Sequence, residues 1–190
     1  VLEGVSVNLG AGEVVSVMGD NGSGKTTLIE AFAGILPLRS GEVIWHEGDE
    51  SILVRDSDGR RNPPPPMGLT LQRGGICGDE TVSERLAVSL SVAGISSREE
   101  QLLELLGHWG IRHRSKDRVA HLSGGLRRRL SILCGLAPAA LSQTPRVILL
   151  DEPSEGLDDS AKQTLKGWIR ALSSMNHGIL VATHDKELSS

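Results

Sequence analysis

The sequence predicts an α/β fold in which a parallel β-sheet carries an inserted lobe of helices. Apolar runs typical of buried strands lie at residues 14–18, 147–150 and 179–183. Helical periodicity follows the first run and separates the last two, and a longer helical stretch lies between. This order indicates a parallel sheet, because parallel neighbours need a crossover that is usually a helix.

Two strands and a helix are predicted at the amino-terminal end. Val5 and Val7 alternate with polar residues, which predicts a short strand ahead of the run at 14–18. Residues 25–33 predict a helix that Gly34 ends. Its apolar face contains Leu28, Ile29 and Phe32.

A small sheet and a stiff connector are predicted next. Residues 42–45 and 52–54 have strand character, and Asp58 with Gly59 indicates a turn. The four consecutive prolines at 63–66 predict a polyproline II segment. Docking of an SH3-type domain on these prolines is the less favoured alternative.

Four helices are predicted from apolar residues at three- and four-residue spacing. The third begins at Ser123, and the fourth separates the last two strands. The apolar positions are Val82, Leu86, Leu90 and Ala93; Leu102, Leu103, Leu105 and Leu106; Leu126, Leu130, Leu133 and Ala137; Leu165, Trp168, Ile169 and Leu172.

Composition excludes several functions. Aromatic residues make up 2% of the 190 residues, too few for a protein that binds nucleic acid by stacking bases. The net charge of −4 argues against DNA wrapping, which needs an excess of basic side chains. Cys77 and Cys134 are too far apart for a zinc motif, and His46, His108, His113, His121 and His177 show no ligand spacing.

A phosphate-binding loop is predicted between the first strand and the first helix. The segment matches G-x-x-x-x-G-K-[ST] in full, and a chance glycine-rich turn is the weaker alternative. Glycines let backbone N–H groups wrap a phosphate, the lysine reaches the β- and γ-phosphates, and the threonine hydroxyl ligates Mg²⁺. The predicted nucleotide-binding residues are Gly19, Asp20, Asn21, Gly22, Ser23, Gly24, Lys25, Thr26 and Thr27.

Two acidic residues end the buried strand at 147–150. Asp151 follows the strand directly and Glu152 comes next. In a nucleotide site the first acid can hold Mg²⁺ through water and the second can polarise the attacking water. Without the phosphate loop, a solvated strand end would be the better interpretation.

Six motifs in this order make nearly the whole chain resemble the nucleotide-binding domain of ABC transporters. They are the phosphate loop, Gln72 (Q-loop), Leu122-Ser123-Gly124-Gly125 (signature), residues 147–153 (Walker B), Gly156-Leu157-Asp158 (D-loop) and His184 (switch histidine). The resemblance implies a P-loop NTPase (RecA-like) core with a small antiparallel β subdomain and an inserted helical subdomain. It divides the single domain into a core at 1–77 and 141–190 and a helical signature subdomain at 78–140.

The resemblance also implies a reaction, the hydrolysis of Mg-ATP to drive transport. Glu152 would orient or deprotonate the attacking water, and His184 would contact the γ-phosphate. Gln72 would sense Mg²⁺ and the membrane partner, while Thr26, Gln72 and Asp151 would hold the metal.

A head-to-tail dimer, formed with a second copy or a paralogous ATPase subunit, is implied as well. ATP would lie between the phosphate loop of one subunit and Ser123, Gly124 and Gly125 of the other, with the D-loop residue Asp158 also near the nucleotide. The helix start at Ser123 offers a second set of N–H donors and a favourable dipole. The implied partner is an integral membrane subunit rather than nucleic acid, and the implied location is the cytoplasmic face of the cell membrane.

Some positions depart from the family pattern. Leu126 stands where the signature usually has Gln, and Glu155 stands where the D-loop often has a small residue. The chain is about five residues longer than usual near 139–143, which predicts a surface loop extension.

Residues 127–129 are three consecutive arginines. We expect them to form a solvated helix face, and a patch for nucleotide or lipid headgroups is the alternative.

Two other ABC-type functions are alternatives. DNA-repair relatives insert long coiled coils and translation relatives carry two such domains, whereas Gln72 and Leu122 lie only 50 positions apart. A catalytically weak regulatory subunit is disfavoured by the presence of Glu152 and His184.

The family normally stacks adenine on an aromatic residue ahead of the first strand, but the earliest aromatic is Phe32. We therefore expect the chain to be truncated at both ends and its affinity for adenine to be weak.

Overall fold

Six strands and five helices make up the regular structure of the chain in a computed structural model, which describes residues 2–72, 78–185 and 188. Two short 3₁₀ turns precede α4. The elements are β1 (Val14–Met18), α1 (Lys25–Phe32), β2 (Glu42–Glu47), β3 (Glu50–Asp56), β4 (Gly68–Thr70), α2 (Val82–Val92), α3 (Glu99–His108), α4 (Gly124–Ala140), β5 (Val147–Asp151), α5 (Asp159–Ser174) and β6 (Gly178–Thr183).

The central sheet is parallel, as the sequence predicts, and its strands lie in the order β1-β6-β5-β4. Strands β5 and β6 are almost entirely buried because helices cover the sheet. Strand β4 is absent from the sequence prediction. Its three residues pair with β5 from Gly68 opposite Ile148 to Thr70 opposite Leu150.

The small antiparallel sheet is also confirmed, and its strands are longer than predicted. Strands β2 and β3 form a hairpin closed by a turn at residues 48–49. The turn predicted at Asp58 and Gly59 is present and follows β3, with Gly59 at a positive φ of 89°. Residues 62–65 contain no helix or strand.

The predicted helices form where the apolar spacing places them. Thr81 caps α2 in a capping box with Glu84, and Ser123 caps α4 by accepting from Leu126 N–H at 3.4 Å. Trp109 is buried and packs edge-on against Trp168 with ring centroids 5.9 Å apart. Helices α2 to α5 share one apolar cluster with one face of the central sheet, and α1 packs in a second cluster on the other face.

Helix α4 and strand β4 approach closely because both carry a glycine at the contact. A Cβ on Gly68 would lie 2.3 Å from the Gly135 carbonyl oxygen. A Cβ on Gly135 would lie 2.2 Å from Thr70 Oγ1. Larger residues at either position would push the signature helix away from the sheet edge.

Two predictions are wrong in detail. Residues 5–7 form no strand, because alternation predicts which side chains face the core but not whether a partner strand lies alongside; Val7 does pack against the second apolar cluster. The surface loop predicted at 139–143 is partly helical, since α4 continues to Ala140 and Ala139 is fully buried.

Cys134 is a free cysteine of helix α4. Burial raises the pKa of the Cys134 thiol to about 12, so this thiol stays protonated and unreactive. Cys77 lies outside the described residues, as does part of the segment after Gln72.

Within the described residues, no helix is long and apolar enough to cross a membrane, and no group of three or more His, Cys, Asp or Glu side chains could hold a metal ion.

Candidate nucleotide site

The predicted phosphate loop connects the carboxyl end of β1 to the start of α1. Gly22 and Gly24 have positive φ values of 85° and 100°, and Gly24 is the N-cap of α1. Glycine adopts this conformation without steric cost, so the loop can turn its N–H groups inward. Residues 20–23 are exposed, which leaves the loop open to a ligand.

Lys25 is buried under this loop. Its Nζ donates to the carbonyl oxygens of Gly19 at 2.6 Å and Asp20 at 3.0 Å. The same Nζ lies 3.1 Å from Glu152 Oε1, and both side chains are less than a tenth exposed. A buried ammonium needs such partners, because an unpaired charge in the interior is costly.

The Thr26 hydroxyl lies at the end of β5. It donates to Asp151 Oδ2 at 2.7 Å, and the backbone N–H of Gln72 approaches the same oxygen at 3.4 Å. Asp151 is fully buried, and its other carboxylate oxygen has no hydrogen-bond partner among the described residues. This buried oxygen is a candidate ligand atom, on the same carboxylate that the Thr26 hydroxyl contacts.

Glu152 has an unusual backbone and a tightly held carboxylate. Its φ is +45°, in the left-handed region that residues other than glycine rarely adopt. Its Oε2 accepts from the His184 backbone N–H at 3.2 Å and lies 2.8 Å from His184 Nδ1. Burial alone would raise the pKa of the Glu152 carboxyl, but the hydrogen bonds from His184 and Lys25 together lower it.

Sheet topology explains why these residues meet. Strands β1, β6 and β5 are adjacent and parallel, so their carboxyl ends lie at one edge of the sheet. Open α/β sheets bind ligands in the crevice at this edge. Lys25 follows β1, Glu152 follows β5 and His184 follows β6, which brings three residues far apart in sequence into contact.

Gln72 is placed differently from the other predicted residues. Its backbone lies beside Asp151, but its side-chain Nε2 donates to Glu155 Oε2 at 2.8 Å. The side-chain amide is thus engaged by the D-loop rather than by Thr26 or Asp151. The departure at Glu155 therefore has a structural consequence, a contact between the Q-loop and the D-loop.

The signature residues lie beside a separate groove. Ser123, Gly124 and Gly125 are exposed at the start of α4. A groove of about 490 Å³ is lined by Gln72, Gly124, Gly125, Arg128, Glu155 and Gly156. In the part of the chain that the structure describes, no hydrogen bond or ion pair joins the signature residues to the phosphate loop.

Asp158 caps α5. Its Oδ1 accepts from the Ala161 N–H at 2.9 Å, and its Oδ2 accepts from the Arg129 guanidinium. The hydrogen bond from Ala161 and that from Arg129 lower the pKa of the Asp158 carboxyl. In the free chain this D-loop residue therefore orders a helix start.

The prediction that residues 127–129 form a solvated face is wrong. Each arginine donates to the protein: Arg127 to the Leu122 and Ala120 carbonyls, Arg128 to carbonyls at the strand ends, and Arg129 to Asp158 and the Trp109 carbonyl. All three are partly buried. Their forked donors suit backbone carbonyls that the helix start and the strand ends leave available.

The oxygen groups around Asp151 suit Mg²⁺. A carboxylate with one unpartnered buried oxygen lies within hydrogen-bond distance of the Thr26 hydroxyl. Mg²⁺ in nucleotide sites is typically held by one or two protein oxygens, with phosphates and water completing its shell. A single carboxylate and a hydroxyl therefore suffice.

Comparison with known proteins agrees with this geometry. The family model described as "ABC transporter" matches residues 2–155. The lipopolysaccharide export system ATP-binding protein LptB of Escherichia coli is 32% identical over 188 residues, which cover 97% of this chain and 74% of the relative. The lipoprotein-releasing system ATP-binding protein LolD of Psychrobacter arcticus is 31% identical over 193 residues, covering 100% and 83%.

A further relative and one solved structure extend this likeness. An ABC transporter ATP-binding protein of Rhizobium meliloti is 32% identical over 97% of this chain, which spans 66% of that relative. The solved structure of a dimeric bacterial ABC transporter cassette superposes with a TM-score of 0.79 at 24% identity, covering 99% of this chain and 82% of that one. At this identity the superposition establishes the fold, a P-loop NTPase cassette.

Proposed function

This chain belongs to the ABC transporter family, an ATP-binding and ATP-hydrolysing family, and we propose that it supplies energy to a bacterial-type transporter. The observation that carries the proposal is the convergence of Lys25, Glu152 and His184 at one edge of the sheet. These residues provide a cation for the phosphates, a carboxylate for water and a group that orients the carboxylate.

The roles follow from the contacts in the free protein. We propose that Lys25 exchanges its carbonyl and carboxylate partners for the β- and γ-phosphates when ATP binds. Glu152, released from Lys25, would then face the attacking water and orient it or accept its proton. In the free protein, hydrogen bonds from His184 and Lys25 lower the pKa of this carboxyl, so Glu152 is already a carboxylate before ATP binds. His184 would hold this carboxylate and contact the γ-phosphate.

Thr26 and Asp151 would hold Mg²⁺, which neutralises phosphate charge when bound. The remaining nucleotide contacts are proposed from the loop itself: backbone N–H groups of residues 19–27 would wrap the phosphates. Gln72 would approach this site only after leaving Glu155. Its present contact at 2.8 Å gives that movement a defined starting point.

We propose further that hydrolysis takes place in a head-to-tail dimer with a second copy or a paralogous ATPase subunit. Ser123, Gly124 and Gly125 are exposed at a helix start, where unpaired N–H groups attract anions. Within the described residues, no hydrogen bond or ion pair joins them to the phosphate loop of their own chain. A second chain could bring them to the γ-phosphate, with its D-loop residue Asp158 nearby.

The membrane partner is proposed from the relatives, whose names place them in export and releasing systems. An integral membrane subunit would bind the helical subdomain at 78–140 close to Gln72, and the core would comprise 1–77 and 141–190. The complex would then lie on the cytoplasmic face of the cell membrane. The partner would choose the transported substrate.

Phosphate release by the purified protein tests this function. We expect Mg-ATP hydrolysis whose specific activity rises with protein concentration, because the active form is a dimer. Glu152→Gln should abolish turnover while ATP binding persists, and ATP should trap this variant as a dimer in size-exclusion chromatography. Lys25→Ala should instead lose ATP binding. Normal hydrolysis by Glu152→Gln would contradict the role of Glu152.

A further inference from the structure

Arg128 lies in the second turn of α4 and contacts two strand ends at once. Its Nη1 donates to the Leu71 carbonyl at 2.9 Å. Its Nη2 donates to the Glu152 carbonyl at 2.7 Å and to the Asp151 carbonyl at 3.2 Å. One side chain of α4 therefore holds the backbone at the ends of β4 and β5, beside the candidate nucleotide site.

The guanidinium extends the pairing of two neighbouring strands. The register of β4 and β5 ends with Thr70 opposite Leu150. One residue further, the Leu71 and Asp151 carbonyls both accept from Arg128 instead. A planar fork of donors can bridge two carbonyls in this way, whereas a lysine ammonium is a single point charge.

The contact also fixes the backbone of Glu152. The left-handed φ of this residue needs support from its surroundings. Its N–H donates to the Ala182 carbonyl at 2.8 Å, and its own carbonyl accepts from Arg128. With both ends of the residue held, the carboxylate is aimed at Lys25 and His184.

Charge strengthens the arrangement. Burial lowers the pKa of the Arg128 guanidinium, while Glu155, Asp151 and Glu152 raise it, so the cation is surrounded by acidic groups. The same cation lies next to the residue that precedes Gln72. Arg128 thus connects the signature helix, the Q-loop and the carboxylate proposed to act on water.

We propose that Arg128 is a positioning residue for ATP hydrolysis, holding the Glu152 peptide in its left-handed conformation and the start of the Q-loop against β5. The proposal rests on the function proposed above. Arg128 would act through Glu152 and Gln72, because its contacts are with the Glu152 backbone and with the residue before Gln72. Helix α4 is also anchored by its apolar face, which includes Leu130, Leu133 and Leu136, so it has contacts with the core that do not involve Arg128.

Two substitutions test the proposal by steady-state ATPase kinetics and equilibrium ATP binding. Arg128→Ala removes every contact, and Arg128→Lys keeps the charge but cannot span the carbonyls. We expect kcat to fall by about tenfold or more in both, equivalent to ~1.4 kcal/mol in the barrier, with the ATP Kd within about threefold of the parent value.

Arg146→Ala is the matched control, since Arg146 is also partly buried and donates to the Ala93 carbonyl at 3.1 Å and to Ser142 Oγ at 2.9 Å. It precedes β5, at the opposite end from the site. We expect this variant to lower Tm and leave kcat unchanged. An Arg128 effect caused only by lost stability would appear in the control as well.

The imidazole signals of His184 in NMR spectra of the free protein provide a readout besides activity. They should shift in both Arg128 variants, because the Glu152 carboxylate moves, and should stay in place in Arg146→Ala. If Arg128→Ala does not fold, Arg128→Lys decides the question.

Parent-level kcat with unshifted His184 signals in Arg128→Lys would overturn the proposal. So would an equal loss of kcat in Arg146→Ala, or a loss explained entirely by weaker ATP binding. If the parent protein hydrolysed no ATP, the proposed function would fail, and the His184 signals would still decide whether Arg128 positions Glu152.

Discussion

Replacing Glu152 by Gln should lower the stability of the nucleotide-free protein. With nucleotide bound, the stability of the variant should approach or exceed that of the parent protein. In the free protein the Glu152 carboxylate is paired with Lys25 at 3.1 Å and with His184 Nδ1 at 2.8 Å. The Gln side chain keeps an oxygen that can accept from Lys25 but loses the negative charge. Bound phosphates would supply negative charge to Lys25 again and would no longer face a neighbouring carboxylate.

The size of the effect follows from the geometry. At 3.1 Å and an effective dielectric constant of about 20, the direct attraction between Lys25 and Glu152 is ~5 kcal/mol. Desolvation of two buried charges offsets much of it. Since hydrogen bonds to charged groups contribute about 1 kcal/mol more than neutral ones, and two such contacts change, we expect a net loss of ~2 kcal/mol. For a domain of this length that is a fall in Tm of roughly 4–8 °C.

Thermal unfolding followed by circular dichroism, with and without a non-hydrolysable ATP analogue and Mg²⁺, measures the effect. The gap between parent and variant should shrink or reverse when the analogue is present. Glu155→Gln is the matched control, because Glu155 is exposed and its loss should move Tm by less than about 2 °C. A variant at least as stable as the parent without nucleotide would refute the reasoning.

The same comparison has a defined pH dependence. Because the folded-state pKa of Glu152 is lowered, its ionised form contributes stability above the ordinary glutamate pKa of 4.5. That contribution is lost as the pH falls through the lower folded-state pKa. The Tm difference between parent and Glu152→Gln should therefore be constant near neutral pH and shrink below about pH 4.5. A difference that grows on acidification would contradict this assignment.

Two further predictions concern stability in the absence of nucleotide. Gly68→Ala should lower Tm by several degrees, because the new Cβ would lie 2.3 Å from the Gly135 carbonyl oxygen and overpacking costs ~1–3 kcal/mol. Gly167→Ala is its control. This glycine lies on helix α5 with open space at the position of a Cβ, so the substitution should raise Tm. Thr26→Ala should lower the urea unfolding free energy by ~1–3 kcal/mol, because Asp151 loses the hydroxyl that donates to it at 2.7 Å, and Thr26→Ser should restore it. If Gly68→Ala were as stable as Gly167→Ala, the close approach at Gly68 would not matter. If Thr26→Ala were as stable as Thr26→Ser, the hydrogen bond to Asp151 would not matter.

Strong local patterns predict most of the fold, and weak ones do not. Strands β5 and β6 are continuous apolar runs, and the helices repeat their apolar residues at the helical period. Strand β4 consists of Gly68, Leu69 and Thr70, which show no alternation of apolar and polar side chains. It is a strand because β5 pairs with it, and residues 5–7, with a better alternating pattern, find no such partner.

For the candidate site, the sequence predicts which residues belong together but not how they pair in the free chain. The predicted nucleotide roles of Lys25, Glu152 and His184 remain predictions, while their mutual contact is a structural finding. Motif order cannot show that Lys25 is held by a carboxylate before any phosphate arrives. Nor can it show that Gln72 donates to Glu155, since that contact depends on a D-loop residue that departs from the family pattern.

The arginines at 127–129 show what helical geometry leaves open. Successive residues of an α-helix are about 100° apart, so the three arginines span about 200° on the side away from Leu126 and Leu130, which pack on the core. Periodicity therefore places Arg128 opposite this apolar face. Helix α4 is covered on that side too, because Gly135, seven residues after Arg128 and on the same face, packs against β4. A guanidinium in that position needs acceptors, and the ends of parallel strands supply carbonyls. Only the fold shows that Arg128 reaches the Glu152 carbonyl.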